Sequence, residues 1–136
     1  MPLYMLDTDI CSYVMKRSHP AVLARLRKTA VGEVCISAIT KSELAFGVEV
    51  SPNRGRDEPA FVALLQHLVV LDFPEKAANI YGEIRADLQR RGMMIGGNDL
   101  LIAAHARYSE LILVTNNMRE FGRVHGLRLE NWVTNV

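Results

Sequence analysis

The sequence predicts an α/β fold: a three-layer α/β/α sandwich with a central, mainly parallel sheet of four to five strands. Two observations lead there. Short apolar stretches recur along the chain. Between them lie longer segments whose apolar residues repeat at helical spacing. Strands alternating with helices imply parallel strands covered on both faces.

The first strand is Leu3–Leu6, within "LYMLDTDI". A short helix follows from Asp9 to about Arg17 and closes before Pro20. Pro20 suits the first turn of the next helix, "AVLARLRK", with Val22, Leu23 and Leu26 on one face. Val34–Ile36 is the second strand and "TKSELAFGVEV" the helix after it. "SPNRGRDEP" is polar and rich in turn formers, so it is expected as a loop before the helical "AFVALLQHL". Leu68–Leu71 is the third strand. The longest helix begins near Pro74 and stops at Gly92, with Ala77, Ile80, Tyr81, Ile84 and Leu88 forming its apolar stripe. "GGN" breaks the chain, and "DLLIAAHA" begins a helix that is apolar nearly all round and therefore largely buried. Leu111–Val114 is the fourth strand and Leu127–Glu130 a weaker fifth.

The chain has 136 residues, enough for a proper core, and shows no repeat or low-complexity segment, so one domain over residues 1–136 is expected. Its formal net charge is +1, which excludes a bulk polycation: any nucleic-acid contact must use a local basic surface. Cys11 and Cys35 form neither a disulfide framework nor a zinc spacing, and both read as buried thiols. The four histidines are scattered. No signal peptide and no membrane-length apolar run is visible, which makes the cytoplasm the expected location.

Asp7 stands at the carboxyl end of the first strand, Glu43 in the first helical turn after the second, and Asp99 at the start of the apolar helix. Asn117 follows the fourth strand, with Glu120 three residues on. Each has a local explanation. Asp7 and Asp9 suit a helix N-terminus, "TKSE" from Thr40 to Glu43 fits a capping box, and Asn98 is a good N-cap ahead of Asp99. As a set they demand more, because grouped carboxylates repel unless a proton or cation intervenes. With no His or Cys beside them, the donors are all oxygen, which suits Mg²⁺ or Mn²⁺ and the phosphate chemistry those ions support.

"YMLDTDI", "ISAITKSELAFGV", "GGNDLLIAAHA", "LVTNNMREF" and "LRLENW" together resemble the PIN-domain ribonucleases, and within them the VapC toxins of type II toxin–antitoxin modules. The resemblance runs from Leu3 to Trp132, with its blocks in the family's order. It implies a single PIN domain whose metal-binding acids are Asp7, Glu43 and Asp99. Where the family has a fourth acid this chain has "TNN", so Asn117 occupies that place and Glu120 is the nearest carboxylate. Thr115 would support the site through its hydroxyl, and Asp9 would serve as a cap. The resemblance further implies endonucleolytic hydrolysis of RNA by a metal-activated water, leaving 5′-phosphate and 3′-hydroxyl ends. It implies a cognate VapB-type antitoxin and a homodimer. Lys16, Arg17, Arg54, Arg56, Arg90, Arg91, Arg119 and Arg123 are candidate phosphate contacts, and Tyr13 and Phe46 candidate base-stacking rings.

Two other readings use the same residues. A catalytically weak PIN-like RNA-binding module would account for the missing fourth acid. A haloacid-dehalogenase-type phosphohydrolase also opens with a strand and Asp-x-Asp, but it leaves Glu43 unexplained and its Lys and late acidic motif without a placement.

Overall fold

Alternating side chains on the first strand decide the architecture. In the computed structural model, which describes residues 2–133, β1 (Tyr4–Leu6) turns Met5 to one face of the sheet and Leu6 to the other, both fully buried. The same alternation holds in β2 (Val34–Ser37), where Cys35 opposes Val34 and Ile36, and in β4 (Ile112–Val114), where Leu113 opposes Val114. Strands buried on both faces are the mark of a sheet between two helical layers. With β3 (Val69–Leu71) and β5 (Leu129–Glu130) they form a five-stranded, wholly parallel sheet in the order β3-β2-β1-β4-β5. The predicted sandwich is therefore correct, and all five expected strands are present within a residue or two of their expected bounds.

One layer comprises α1 (Thr8–Lys16), α2 (Pro20–Arg27) and α4 (Arg54–His67), whose Ile10, Cys11, Val22 and Leu64 pack with Leu6, Ile36 and Val114. On the opposite face, α5 (Ala77–Arg91) and α6 (Gly97–Tyr108) bring Ile84, Leu88, Ile102 and Ala103 against Met5, Cys35 and Leu113. α6 is buried through its middle, at Leu100 and from Ile102 to Ala106, as its apolar composition requires. α3 (Ala38–Glu49) leads out of β2, and the short α7 (Met118–Phe121) follows β4. Both cysteines are buried free thiols. No helix among the described residues is long and apolar enough to cross a membrane.

Four local expectations need correction. The stretch expected as a loop is half helix: α4 starts at Arg54 and runs through Pro59. Turn-forming residues also suit a helix start. Asn53 accepts from the amides of Arg56 and Asp57, and Arg54 bridges Glu49 and Glu58. The carbonyl that Pro59 leaves without an N–H is that of exposed Gly55, where water can reach it. Thr40–Glu43 is not a capping box. Ser37 caps α3 by accepting from the Ile39 amide at 3.1 Å, so Glu43 lies in the second helical turn, not the first. Gly96, not Asn98, is the N-cap of α6. Asp7, not Asp9, caps α1, its Oδ1 accepting from the Ile10 amide at 2.9 Å.

Candidate active site

Parallel strands place the carboxyl ends of β1, β2 and β4 on one edge, and the site is built there. Asp7 is fixed by its main chain as well as its side chain. Its amide donates to the Val114 carbonyl at 3.0 Å across the β1–β4 junction, while its carboxylate caps α1. The residue is 3% exposed. Burial pushes the carboxyl up to about 6, against hydrogen bonds from the Thr115 hydroxyl and the Ile10 amide that favour the charged form. Repulsion from Asp9 and Asp99 adds to the rise. Thr115 is fully buried and its Oγ1 also accepts from the Asn117 amide at 2.8 Å, so one hydroxyl ties Asp7 to the turn after β4.

Asp99 reaches the same edge from the first turn of α6. It is half-buried, and burial followed by the charges of Glu43, Glu120 and Asp9 pushes its carboxyl up to about 6. Those causes show that α1, α3, α6 and α7 deliver carboxylates into one shared field. Glu43 is held at both oxygens: Oε1 accepts from the Thr8 hydroxyl, and Oε2 from the Asn98 amide at 3.2 Å. Thr8 and Asn98 were not singled out for this role in the sequence. The signal for Thr8 was its position between two acids, while Asn98 gave none beyond a capping propensity.

Asn117 caps α7. Its Oδ1 accepts from the Glu120 amide at 3.4 Å and its Nδ2 donates to Glu120 Oε2 at 3.0 Å. Asn117, expected in the place of a fourth acid, is thus an amide that holds a carboxylate, and Glu120 brings negative charge that Asp99 feels. The basic candidates are partly committed elsewhere: Arg54 to Glu49 and Glu58, Arg56 to Asp57, Arg91 to Asp87, and Arg123 to the Met94 carbonyl. Phe46 is 68% exposed, whereas Tyr13 stacks on His19 with ring centroids 3.7 Å apart.

This donor set suits a hard divalent cation: it is all oxygen, and two of its carboxyls are raised in part by repulsion from neighbouring carboxylates that a cation relieves. The carboxylates share the edge without closing on one another. Among the described residues no three His, Cys, Asp or Glu side chains stand close enough to hold an ion together.

The wholly parallel five-stranded sheet lies between helical layers, and the family model for the PIN domain matches residues 4–127. The chain belongs to the PIN-domain family. Its relatives narrow the comparison. It is 48% identical over 130 residues to Ribonuclease VapC2 of Haemophilus influenzae, spanning 96% of this chain and 98% of that protein. It is 43% identical over 129 residues to the tRNA(fMet)-specific endonuclease VapC of Shigella flexneri, covering 95% and 97% of the two chains. Its fold superimposes on the crystal structure of DNA-bound VapBC from Salmonella typhimurium with a TM-score of 0.91 and 39% identity, over 97% of this chain and 99% of that one.

Proposed function

We propose that this chain is the toxin of a type II toxin–antitoxin module, a cytoplasmic endoribonuclease that requires Mg²⁺ or Mn²⁺ and is silenced by a cognate VapB-type antitoxin. The observation that carries the reading is the convergence of Asp7, Glu43 and Asp99, from three separate elements, on the edge where parallel α/β sheets bind ligands. Whole-length similarity to VapC ribonucleases, and to a VapC chain in complex with its VapB partner, supports it.

Asp7 and Asp99 would hold the ion, with Glu43 completing the set directly or through water. When bound, a divalent ion neutralises phosphoryl charge and lowers the pKa of a bound water. The protein's own contribution is placement. Thr115 keeps the Asp7 carboxylate oriented and charged, and Asn117 orients Glu120, which supplies the fourth carboxylate. Thr8 and Asn98 hold Glu43 at the rim. The products are a 5′-phosphate and a 3′-hydroxyl. A homodimer is the expected assembly.

The second reading, a PIN-like RNA-binding module with little turnover, is favoured by one observation: both Glu43 oxygens are already engaged by neutral donors. Incubating purified, antitoxin-free protein with a mixed small-RNA pool in Mg²⁺, in Mn²⁺ and in chelator separates the two. Discrete metal-dependent cuts, lost in Asp99→Asn, are expected. Intact RNA in every metal condition would establish the binding module instead.

A further inference from the structure

The segment "SAITKSE", residues 37–43, offers two helix starts one turn apart. Ser37 is the N-cap used. Thr40 with Glu43 makes a second, since Ser/Thr-x-x-Glu is a capping box in which the acid folds back onto the cap's own amide. The two starts use Glu43 differently. From Ser37, Glu43 is in the second turn and its carboxylate reaches Thr8 and Asn98 at the acidic rim. From Thr40, the same carboxylate would be consumed by its own helix terminus.

What favours Ser37 lies across the core. Ser37 is fully buried, which is costly for a capping hydroxyl: its oxygen accepts from the Ile39 amide, so its proton needs another acceptor. His105 of α6 provides one, with Nδ1 2.9 Å from Ser37 Oγ. His105 is 1% exposed, and the Phe73 ring stands edge-on to it at 5.6 Å. In its neutral Nε2–H tautomer the imidazole can accept the serine proton at Nδ1. Burial favours the neutral ring by lowering the His105 pKa. Glu43 lies six positions after the Ser37 cap of α3, and His105 six positions after Asp99 in α6. The buried Ser37–His105 bond and the rim Glu43–Asn98 bond are thus two rungs between antiparallel helices that each carry a site acid.

We infer that His105 is a positioning residue: by receiving the Ser37 hydroxyl proton it selects the start of α3 that leaves Glu43 facing Asp99. This rests on the proposed acidic site for its functional consequence, but not for its structural one. The test compares Ser37→Ala, His105→Leu and the conservative His105→Asn in the full chain. The readouts are amide exchange at Ile39, Cα chemical shifts of residues 38–40, Mn²⁺ titration and RNA cleavage. Ser37→Ala and His105→Leu are expected to speed Ile39 exchange about fivefold, the effect of a lost N-cap. They should also move residues 38–40 toward extended shifts, weaken Mn²⁺ binding by a similar factor, and lower kcat with KM unchanged. His105→Asn should restore most of each. If His105→Leu does not fold, Ser37→Ala decides, because alanine fits the space of serine. Wild-type exchange and shifts in Ser37→Ala would overturn the inference. Wild-type protein that cuts no RNA while the shifts still move would instead overturn the nuclease reading alone.

Discussion

Replacing Asp7 by asparagine should make the metal-free protein more stable at neutral pH while abolishing RNA cleavage. The Asp7 carboxyl is raised from 3.8 to about 6, first by burial. A carboxyl whose folded pKa lies above its unfolded value costs nothing when protonated in both states. As pH rises, the unfolded chain loses its proton first, so stability falls between about pH 4 and pH 6 and stays lower above that window. The shift of about two units corresponds to roughly 3 kcal/mol. Asparagine keeps the shape and can still accept from the Ile10 amide, and its own N–H₂ has the Thr115 oxygen within reach of the same contact. In chelator at pH 7.5, the variant should therefore gain on the order of 2–3 kcal/mol. At a urea slope of about 1–3 kcal/mol/M that raises the midpoint by on the order of 1–3 M. The assay is urea unfolding from pH 4 to pH 8, in chelator and again in excess Mg²⁺. The gap should close near pH 4 and narrow in Mg²⁺, because a ligand that binds only the folded wild type stabilises it. A variant equally stable or less stable than wild type across the whole pH range would refute the argument that burial strains this carboxylate.

Thr115→Val removes the hydrogen bond that favours charged Asp7. The Asp7 carboxyl should rise above about 6, read by carboxyl-carbon NMR titration in chelator. Gly122→Ala would place a Cβ 2.5 Å from the Met118 carbonyl oxygen, so α7 must shift and take Asn117 and Glu120 with it. A loss of about 1–3 kcal/mol in unfolding free energy is expected from this overpacking, with reduced cleavage. Burial pushes the Cys35 thiol up to about 12 and holds the Cys11 thiol well above its ordinary range, so neither should label with a thiol reagent at pH 8 until urea unfolds the chain.

Most of the fold was legible because its signals are long or doubled. Five apolar strands, and a helix as uniformly apolar as Leu100–Ala106, leave little choice but a covered parallel sheet. Parallel topology then brings Asp7, Glu43 and Asp99 to one edge without further information. What failed was local and competitive. Ser37 and Thr40 both qualify as caps, and only the burial of Ser37 against His105 decides between them. Asn53–Pro59 carries turn residues that equally suit a helix terminus, and Arg54 with its two acidic partners settles it as helix. α7 is four residues long, too short to show a period. The bonds from Asn117 to Glu120 were hidden because an amide that holds a neighbouring carboxylate looks, in sequence, like a ligand replaced.

The strand order has a consequence for the order of events during synthesis. β1 is made first yet lies in the middle of the sheet, and its β4 neighbour appears about a hundred residues later. At roughly 5–20 residues per second, Asp7 and Glu43 leave the ribosome several seconds before Val114 and Thr115 exist to hold Asp7 in place. In that interval β1 can pair only with β2, and the acids are present without their geometry. Arg25, which stacks over both Tyr4 and Trp132 and pairs with Glu130, secures the arrangement only when residue 132 has been added. The acidic rim therefore takes shape only after the chain from Val114 to Trp132 has followed its acids out of the ribosome, the better part of a hundred residues behind them.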